Sequence, residues 1–172
     1  MFDKFFPDRY VASTYVIDFE GLYKEGVRGL IFDIDNTLVP HGAPADERAR
    51  ALFKRLKSIG FRCCLISNNQ KPRVEMFNKD IQVDYVYNAH KPSIRNYLKA
   101  MEIMGTDRDS TVFIGDQLFT DVWGAKRAGI QNILVKPIHP KEEIQIVLKR
   151  YLEKIVLHFY KKSLQCEKKV EK

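Results

Sequence analysis

Short apolar segments alternate with amphipathic segments along most of the chain, and this alternation constrains the fold more than any other feature of the sequence. The apolar segments are rich in β-branched and aromatic side chains, as in strands that are buried on both faces of a sheet. They comprise residues 28–33, 61–66, 84–87, 111–115 and 131–135. Because strand–helix–strand repeats form right-handed crossovers, the pattern predicts an α/β fold with a central parallel five-stranded sheet and helices on both faces.

The segments between the predicted strands carry apolar residues at helical spacing. Asp46 suits the start of the first helix, because a side-chain oxygen there accepts hydrogen bonds from unpaired backbone N–H groups. Gly129 suits the end of the last, because glycine adopts the left-handed conformation that terminates helices. Helices are predicted over residues 46–58, 70–78, 93–104 and 120–128.

Length and composition are those of a single folded domain. The chain has 172 residues, of which 45% are hydrophobic and 30% are charged, whereas disordered chains are more polar. We expect no membrane-spanning helix, which needs ~18 consecutive apolar residues. We expect no signal peptide either, because Asp3, Pro7 and Asp8 interrupt the apolar start. Three cysteines cannot close a disulfide framework, so we interpret Cys63 and Cys64 as core residues of a cytoplasmic protein.

The chain is basic, with 29 Lys and Arg against 22 Asp and Glu and a net charge of +7. This excess favours anionic partners such as phosphoesters, nucleic acid or acidic lipid headgroups. Ten of the basic residues and five of the acidic residues lie from Lys136 onward. The segment from Lys136 onward therefore carries +5 of the net charge of +7, and residues 1–135 carry only +2.

Two carboxylates follow the first predicted strand, in the segment Asp33-Ile34-Asp35-Asn36-Thr37. Like charges placed so close together are costly to bury unless protons or a cation neutralise them. One interpretation is an acidic turn that caps the next segment, since Asp, Asn and Thr are common turn residues. The other is a site that holds a cation.

Polar residues also follow the second, third and fourth strands, as Ser67 with Asn68, as Lys91, and as Asp116 with Asp121. Taken singly, each has a structural explanation as a helix cap, a surface amine or a loop acid. Ligands of parallel sheets bind at the carboxyl ends of the strands, however, where all of these residues would meet. Together they indicate a site for phosphate chemistry.

The motifs Asp33-x-Asp35-x-Thr37, Ser67, Lys91 and Gly115-Asp116-x4-Asp121, in this order, resemble the four motifs of the haloacid dehalogenase (HAD) superfamily of aspartyl-nucleophile phosphatases. The resemblance extends from about residue 28 to about residue 135 and implies a Rossmann-like HAD fold. It also implies a Mg²⁺-dependent phosphomonoester hydrolase that forms an aspartyl phosphate.

The resemblance implies a role for each motif residue. Asp33 would be the nucleophile, and Asp35 the acid that protonates the leaving group and the base that then activates water. Mg²⁺ would bind the Asp33 side chain, the Asp35 backbone carbonyl and Asp116, with Asp121 close behind. The phosphate-binding residues would be Asn36 and Thr37 through their backbone N–H groups, together with Ser67, Asn68 and Lys91.

The spacing of the motifs leaves no room for a cap domain. Ser67 follows Asp33 by 34 positions, which one helix and one strand already fill, and the interval to Lys91 holds another such pair. The chain therefore resembles the uncapped subclass III of the superfamily. Such enzymes have open sites and act on large substrates, or they use contacts in a homo-oligomer as a lid.

Three segments surround the predicted catalytic core of residues 28–135. Residues 1–27 are rich in aromatic side chains and are predicted to form a strap over the core. Residues 136–162 carry the pattern of a basic amphipathic helix, which is typical of a last helix packed on the fold but also of a helix on an anionic membrane. Residues 163–172 are predicted to be a disordered basic tail.

The whole pattern is similar to a bacterial subfamily IIIA group related to mitochondrial phosphatidylglycerophosphate phosphatases. This similarity implies a lipid phosphomonoester as substrate, with peripheral contact at the inner membrane face. A phosphatase of soluble sugar or nucleotide phosphates and a non-catalytic binding module are the alternatives. Nucleic acid is not an expected partner, because no aromatic platform interleaved with basic residues is recognisable.

Overall fold

Six parallel strands form one sheet at the centre of the structure, a computed structural model. The structure describes the backbone of residues 3–139 and 144–170 and the side chains of residues 3–139 and 149–165. In chain order the strands are β1 (Arg9–Val11), β2 (Gly29–Phe32), β3 (Arg62–Ile66), β4 (Asp84–Val86), β5 (Thr111–Gly115) and β6 (Gln131–Val135). Their spatial order is β1-β6-β5-β2-β3-β4, which places β2 between β3 and β5.

The helices connect and cover these strands. They are α1 (Phe19–Lys24), α2 (Glu47–Ile59), α3 (Lys71–Asn78), α4 (Arg95–Met104), α5 (Trp123–Ala128) and α6 (Ile144–Val170). As predicted, the Asp46 carboxylate accepts a hydrogen bond from the Ala49 N–H group at the start of α2, at 2.7 Å. Gly129 ends α5 in the left-handed conformation, with φ of 74°.

The prediction of a parallel α/β sheet is confirmed, but the count of five strands is wrong. The sixth strand is β1, which comes from the aromatic strap and pairs in parallel with β6 through Arg9 and Ile133, and through Val11 and Val135. It has three residues and lies at an edge of the sheet. A strand this short, with only one side paired, leaves no recognisable apolar period in the sequence.

Alternate residues of β2 face two separate hydrophobic clusters. Leu30 and Phe32 belong to the cluster that α1, α2 and α3 cover, whereas Ile31 packs with α4 and α5 on the other face. Phe19 of the strap is fully buried in the first cluster. The sheet is therefore covered on both sides and leaves its carboxyl edge available for a site. Between residues 33 and 111 the chain holds only α2 to α4, β3, β4 and their loops, without a cap.

The end of the chain differs from the prediction. Residues 136–139, predicted to be helical, form an irregular segment after β6, because Pro137 has no N–H group for a helix. The Lys136 N–H group donates to the Val11 carbonyl and the Ile138 N–H group to the Asn36 carbonyl. Helix α6 continues to Val170, so the expected disorder is wrong over 163–170, where good helix formers occur without Gly or Pro. Residues 140–143 and 171–172 lie outside the described residues.

Helix α6 packs on the sheet through its own small cluster. In this cluster, Val156 of α6 packs with Leu134 of β6 and with Leu118, which precedes α5. No helix within residues 3–139 and 144–170 has both the length and the apolar character that crossing a membrane requires.

Candidate active site

The predicted site residues meet at the carboxyl edge of the sheet. Asp33 directly follows β2, Ser67 follows β3, and Asp116 follows β5, which are three neighbouring strands. An open pocket of about 210 Å³ lies over these strand ends. Its lining comprises Asp33, Asp35, His41, Ser67, Asn68, Asn69, Lys91, Gln117, Thr120 and Lys149.

A buried lysine joins the predicted nucleophile, Asp33, to Asp121, which was predicted to lie close behind the metal ligands. The Lys91 Nζ atom lies 2.6 Å from Asp33 Oδ1 and 2.7 Å from Asp121 Oδ1. Burial opposes the charge of Lys91, but Asp121 and Asp33 outweigh it and raise the pKa of the lysine. Lys91 is therefore a fixed positive charge beside Asp33, as phosphoryl transfer requires.

The positive charge of Lys91 does not fully offset the burial of the Asp33 carboxylate. Burial raises the pKa of the Asp33 carboxyl to about 7, an effect that Lys91 opposes and Asp121 reinforces. Burial also raises the pKa of Asp116, with Arg150 acting in the opposite direction. The carboxylates of this pocket thus compete for too few cations, and a bound cation would favour their ionised forms.

Asp33, Asp116 and Asp121 form a cluster with the donor set of a hard metal ion. One oxygen of each carboxylate lies within 4.8 Å of the other two, and all three residues are buried. Carboxylate oxygens are the ligands that Mg²⁺ prefers. The three residues fit a divalent cation, and Asp121, predicted to lie behind the ligands, is a full member of the cluster.

The loop after β5 holds Asp121 in place. Asp121 Oδ2 accepts hydrogen bonds from the N–H groups of Asp116 at 3.1 Å and Gln117 at 3.0 Å. A side-chain carbon at position 115 would collide with the Asp121 carboxylate, which explains why Gly115 precedes Asp116. A single π-helical turn, Leu118–Val122, carries Asp121 into this position.

Asp35 lies at the rim of the pocket and outside the cluster of three carboxylates. Its carboxylate accepts hydrogen bonds from Asn69 Nδ2 at 2.7 Å, from the Gly42 N–H group at 2.7 Å and from Arg73 Nη2 at 2.8 Å. Neither Asn69 nor Arg73 was predicted to have a role. A lone arginine in α3 gives no sequence signal, because its partner lies 38 positions away.

Two predictions for phosphate binding disagree with the structure. The Asn36 and Thr37 N–H groups, expected to face the phosphate, donate instead to the Val39 and Ile34 carbonyls. They close a tight turn in which Asn36 has a left-handed φ of 63°. Thr37 contacts the site through its hydroxyl, which donates to Asp116 Oδ1 at 3.1 Å.

Asn68 and Ser67 differ in how they contact the site. Asn68 Oδ1 accepts from the Lys91 N–H group at 2.7 Å, and Asn68 Nδ2 donates to the Lys91 carbonyl at 3.4 Å. Asn68 therefore fixes the Lys91 backbone rather than presenting its amide to phosphate. The Ser67 hydroxyl lines the pocket and accepts from the Asn69 N–H group, which leaves its own proton as a donor.

Helix α6 brings a second unpredicted pair into the site. Arg150 forms an ion pair with the Asp116 carboxylate and donates to the Asp116 carbonyl at 2.5 Å. Glu153 accepts from Arg150 at 2.9 Å and from the Leu118 N–H group at 2.7 Å. The only sequence signal is the i,i+3 spacing of Arg150 and Glu153, since Asp116 lies 34 positions earlier.

The largely buried charges of the site do not balance. Five carboxylates surround three cations, which is two negative charges in excess when all are ionised. A divalent cation would remove this excess. The carboxylates belong to Asp33, Asp35, Asp116, Asp121 and Glu153, and the cations to Arg73, Lys91 and Arg150.

Comparison with known proteins identifies the family. The sequence profile of the haloacid dehalogenase-like hydrolases matches residues 41–129, just over half of the chain. The chain belongs to the haloacid dehalogenase-like hydrolases. The resemblance seen in the four motifs is thereby confirmed, and the chain is an enzyme of this hydrolase family.

Two relatives of this HAD hydrolase extend the match beyond the profile, which does not include Asp33 and Asp35. The chain is 35% identical over 165 residues to the protein of Bacillus subtilis strain 168 named "Probable phosphatase YqeG". This match covers 95% of this chain and 96% of the Bacillus protein. It is 25% identical over 175 residues to phosphatidylglycerophosphate phosphatase 1 of Arabidopsis thaliana. That match covers 92% of this chain and 48% of the Arabidopsis protein.

Solved structures confirm the HAD fold. The structure described as a "putative HAD superfamily (subfamily III A) hydrolase from Legionella pneumophila" aligns with a TM-score of 0.54 at 19% identity. The alignment covers 70% of this chain and 71% of that chain. At this identity the likeness concerns the fold alone.

Proposed function

We propose that the chain is a Mg²⁺-dependent phosphomonoester hydrolase that uses Asp33 as its nucleophile. The observation that carries this proposal is the position of Asp33, which contacts Lys91 at 2.6 Å and shares a buried carboxylate cluster with Asp116 and Asp121. This arrangement pairs a nucleophile with the positive charge and the cation ligands that phosphoryl transfer requires.

The proposed reaction has two steps. An Asp33 oxygen attacks phosphorus while the bond to the leaving alkoxide breaks, and Asp35 gives that alkoxide its proton. Water then attacks the aspartyl phosphate, Asp35 accepts a proton from the water, and inorganic phosphate leaves with the Asp33 carboxylate restored. Asn69 and Arg73 hold the Asp35 carboxylate at the rim of the pocket, where it would meet the leaving group.

The remaining predicted residues bind the transferred phosphoryl group and the ion. Lys91 balances the charge of Asp33 and of the phosphoryl oxygens, and the Ser67 hydroxyl donates to one of these oxygens. The Asp33 and Asp116 side chains and the Asp35 carbonyl would hold Mg²⁺, with Asp121 adjoining. The bound ion supplies the charge neutralisation that allows an anionic substrate to approach these carboxylates.

We propose that the substrate is a lipid phosphomonoester of the phosphatidylglycerophosphate type. We also propose that the chain belongs to subfamily IIIA of the superfamily. The similarity to the Arabidopsis phosphatase supports this choice, and so does the pocket, which no cap covers between residues 33 and 111. Such a substrate lies in a bilayer. We accordingly propose that the enzyme is cytoplasmic and works at the inner face of the membrane.

A substrate panel tests this proposal. We expect Mg²⁺-dependent phosphate release from phosphatidylglycerophosphate in mixed micelles, and none from the Asp33→Asn variant. Sugar and nucleotide phosphates serve as competitors in parallel assays. Activity on these soluble phosphates with none on the lipid would reject the lipid substrate and retain the phosphatase, whereas no activity on any phosphomonoester would reject both.

A further inference from the structure

We propose that the outer face of α6 docks the protein on an anionic bilayer surface. This inference rests on the proposed function, because it names the partner that brings the catalytic pocket to a lipid phosphate. We call this surface the α6 stripe and define it as Tyr151, Leu152, Ile155 and Phe159.

The α6 stripe is separate from the face by which the helix packs on the protein. Glu153, Val156 and Tyr160 are buried against the fold. The stripe residues, in contrast, are exposed by 67% at Tyr151, 51% at Leu152, 42% at Ile155 and 44% at Phe159. At 3.6 residues per turn, these four positions share one side of the helix. Packing of α6 on the sheet therefore leaves an apolar surface facing outward.

The charges around the α6 stripe indicate what covers it. Between residues 149 and 165 the only acidic residue is Glu153, which is buried and paired with Arg150. The exposed surface of this segment is therefore positively charged. Its exposed lysines are Lys149, Lys154, Lys161 and Lys162. Apolar side chains next to lysines are typical of helices that lie in the interface of an anionic membrane.

The same charges disfavour a second copy of this chain as the occupant. In a symmetric dimer formed through the α6 stripe, the lysines of one copy would face the lysines of the other. Anionic lipid headgroups, in contrast, are attracted by these lysines while the acyl boundary accepts the apolar side chains. Charge complementarity therefore favours a bilayer.

The position of the α6 stripe connects docking with the catalytic site. Lys149, two residues before Tyr151, lines the catalytic pocket. Arg150, the next residue, contacts Asp116. The start of the stripe thus lies within one helical turn of the pocket, so that a helix docked by this stripe holds the site close to the headgroups.

Vesicle binding tests the inference with a matched pair of variants. The Asp33→Asn protein, which cannot turn over lipid, is sedimented with vesicles of phosphatidylcholine alone or mixed with phosphatidylglycerol. We expect binding to the anionic vesicles only, and weaker binding at high salt. Adding Ile155→Asp is expected to lower the bound fraction about tenfold, because a charged side chain replaces an apolar one that would be buried in the bilayer. Ile103→Asp on α4, where Ile103 is exposed by 40%, is the control that keeps binding unchanged.

Two results would overturn the inference. One is equal vesicle binding by the Ile155→Asp and Ile103→Asp proteins, or no binding by either. The other is a dimer in solution that Ile155→Asp dissociates, which would make the α6 stripe an interface between copies.

Hydrolysis of p-nitrophenyl phosphate, assayed with Asp33 intact, distinguishes failure of the docking proposal from failure of the proposed function. If vesicle binding fails while this activity persists in the Ile155→Asp protein, docking alone is wrong; if vesicles bind but no phosphate ester is hydrolysed, the proposed function is wrong.

Discussion

Arg150 of α6 donates a hydrogen bond of 2.5 Å to the backbone carbonyl of Asp116 and also forms an ion pair with the Asp116 carboxylate. Helix α6 therefore contributes to the candidate active site. Replacement of Arg150 by methionine leaves Asp116 and Glu153 buried without their cation. We expect a loss of about 3 kcal/mol in the free energy of unfolding, measured by urea denaturation. Arg55→Met is the control, because its pair with Glu20 is about half exposed and its loss should leave the free energy of unfolding close to that of the parent.

Removal of Lys91 has a larger effect on the site. Lys91→Met leaves Asp33 and Asp121 as uncompensated buried carboxylates, so we expect a loss of about 3–5 kcal/mol in the free energy of unfolding. Phosphatase activity should fall below detection. Lys126→Met removes the more exposed pair with Asp8 and should retain both stability and activity. A Lys91→Met protein that is as stable as the parent would show that the buried pairs are not formed in solution.

The raised pKa of Asp33 predicts a pH-dependent stability in the absence of metal. Its value of about 7 in the fold exceeds the ordinary value of 3.8, so the folded protein holds a proton that the unfolded chain releases. The free energy of unfolding in EDTA should therefore fall between about pH 4 and pH 7, by roughly 4 kcal/mol, and stay low above pH 7.

Asp33→Asn checks the source of this pH dependence. The amide does not ionise, so the variant should be more stable than the parent at pH 8 in EDTA, although it is inactive. Asp80→Asn, at an exposed position, should keep the pH dependence of the parent. An identical pH profile in the Asp33→Asn and parent proteins would contradict the assignment to Asp33.

Divalent cations should stabilise the fold, because the cluster of Asp33, Asp116 and Asp121 is assembled only in the folded protein. At a Mg²⁺ concentration ~100 times the dissociation constant, we expect a gain of about 2.7 kcal/mol in the free energy of unfolding. The gain should be lost in Asp116→Asn and kept in Asp109→Asn, which alters an exposed acid. Calorimetric unfolding with and without Mg²⁺ measures the gain in each variant. An equal gain in Asp116→Asn and Asp109→Asn would show that the ion binds away from Asp116.

The features that were predictable from the sequence are those with local patterns. The strands β2 to β6 are apolar segments bounded by turns, and the N-cap of α2 is a single aspartate at its start. The parallel topology then brings Asp33, Ser67, Lys91 and Asp116 to one edge of the sheet. These residues meet because each follows or adjoins a strand end, which the sequence order itself reveals.

The features that were not predictable depend on distant partners or on details of a turn. Strand β1 exists only because β6 offers an edge to it, and three residues are too few to show a period. Arg73 and Arg150 are ordinary helix residues until the fold places them beside Asp35 and Asp116. The backbone N–H group of Asn36 donates to the Val39 carbonyl within the same loop, because the left-handed conformation of Asn36 directs it there.

The central claim, that Asp33 is the nucleophile, is tested most directly by trapping the phosphoenzyme. The parent protein is mixed with p-nitrophenyl phosphate and Mg²⁺, quenched in acid and reduced with borohydride, which converts an aspartyl phosphate to homoserine. Peptide mass spectrometry then locates the change. We predict homoserine at position 33, and none when substrate is omitted. Turnover of the substrate with Asp33 unmodified, or with the change at Asp35 or Asp116, would contradict the account.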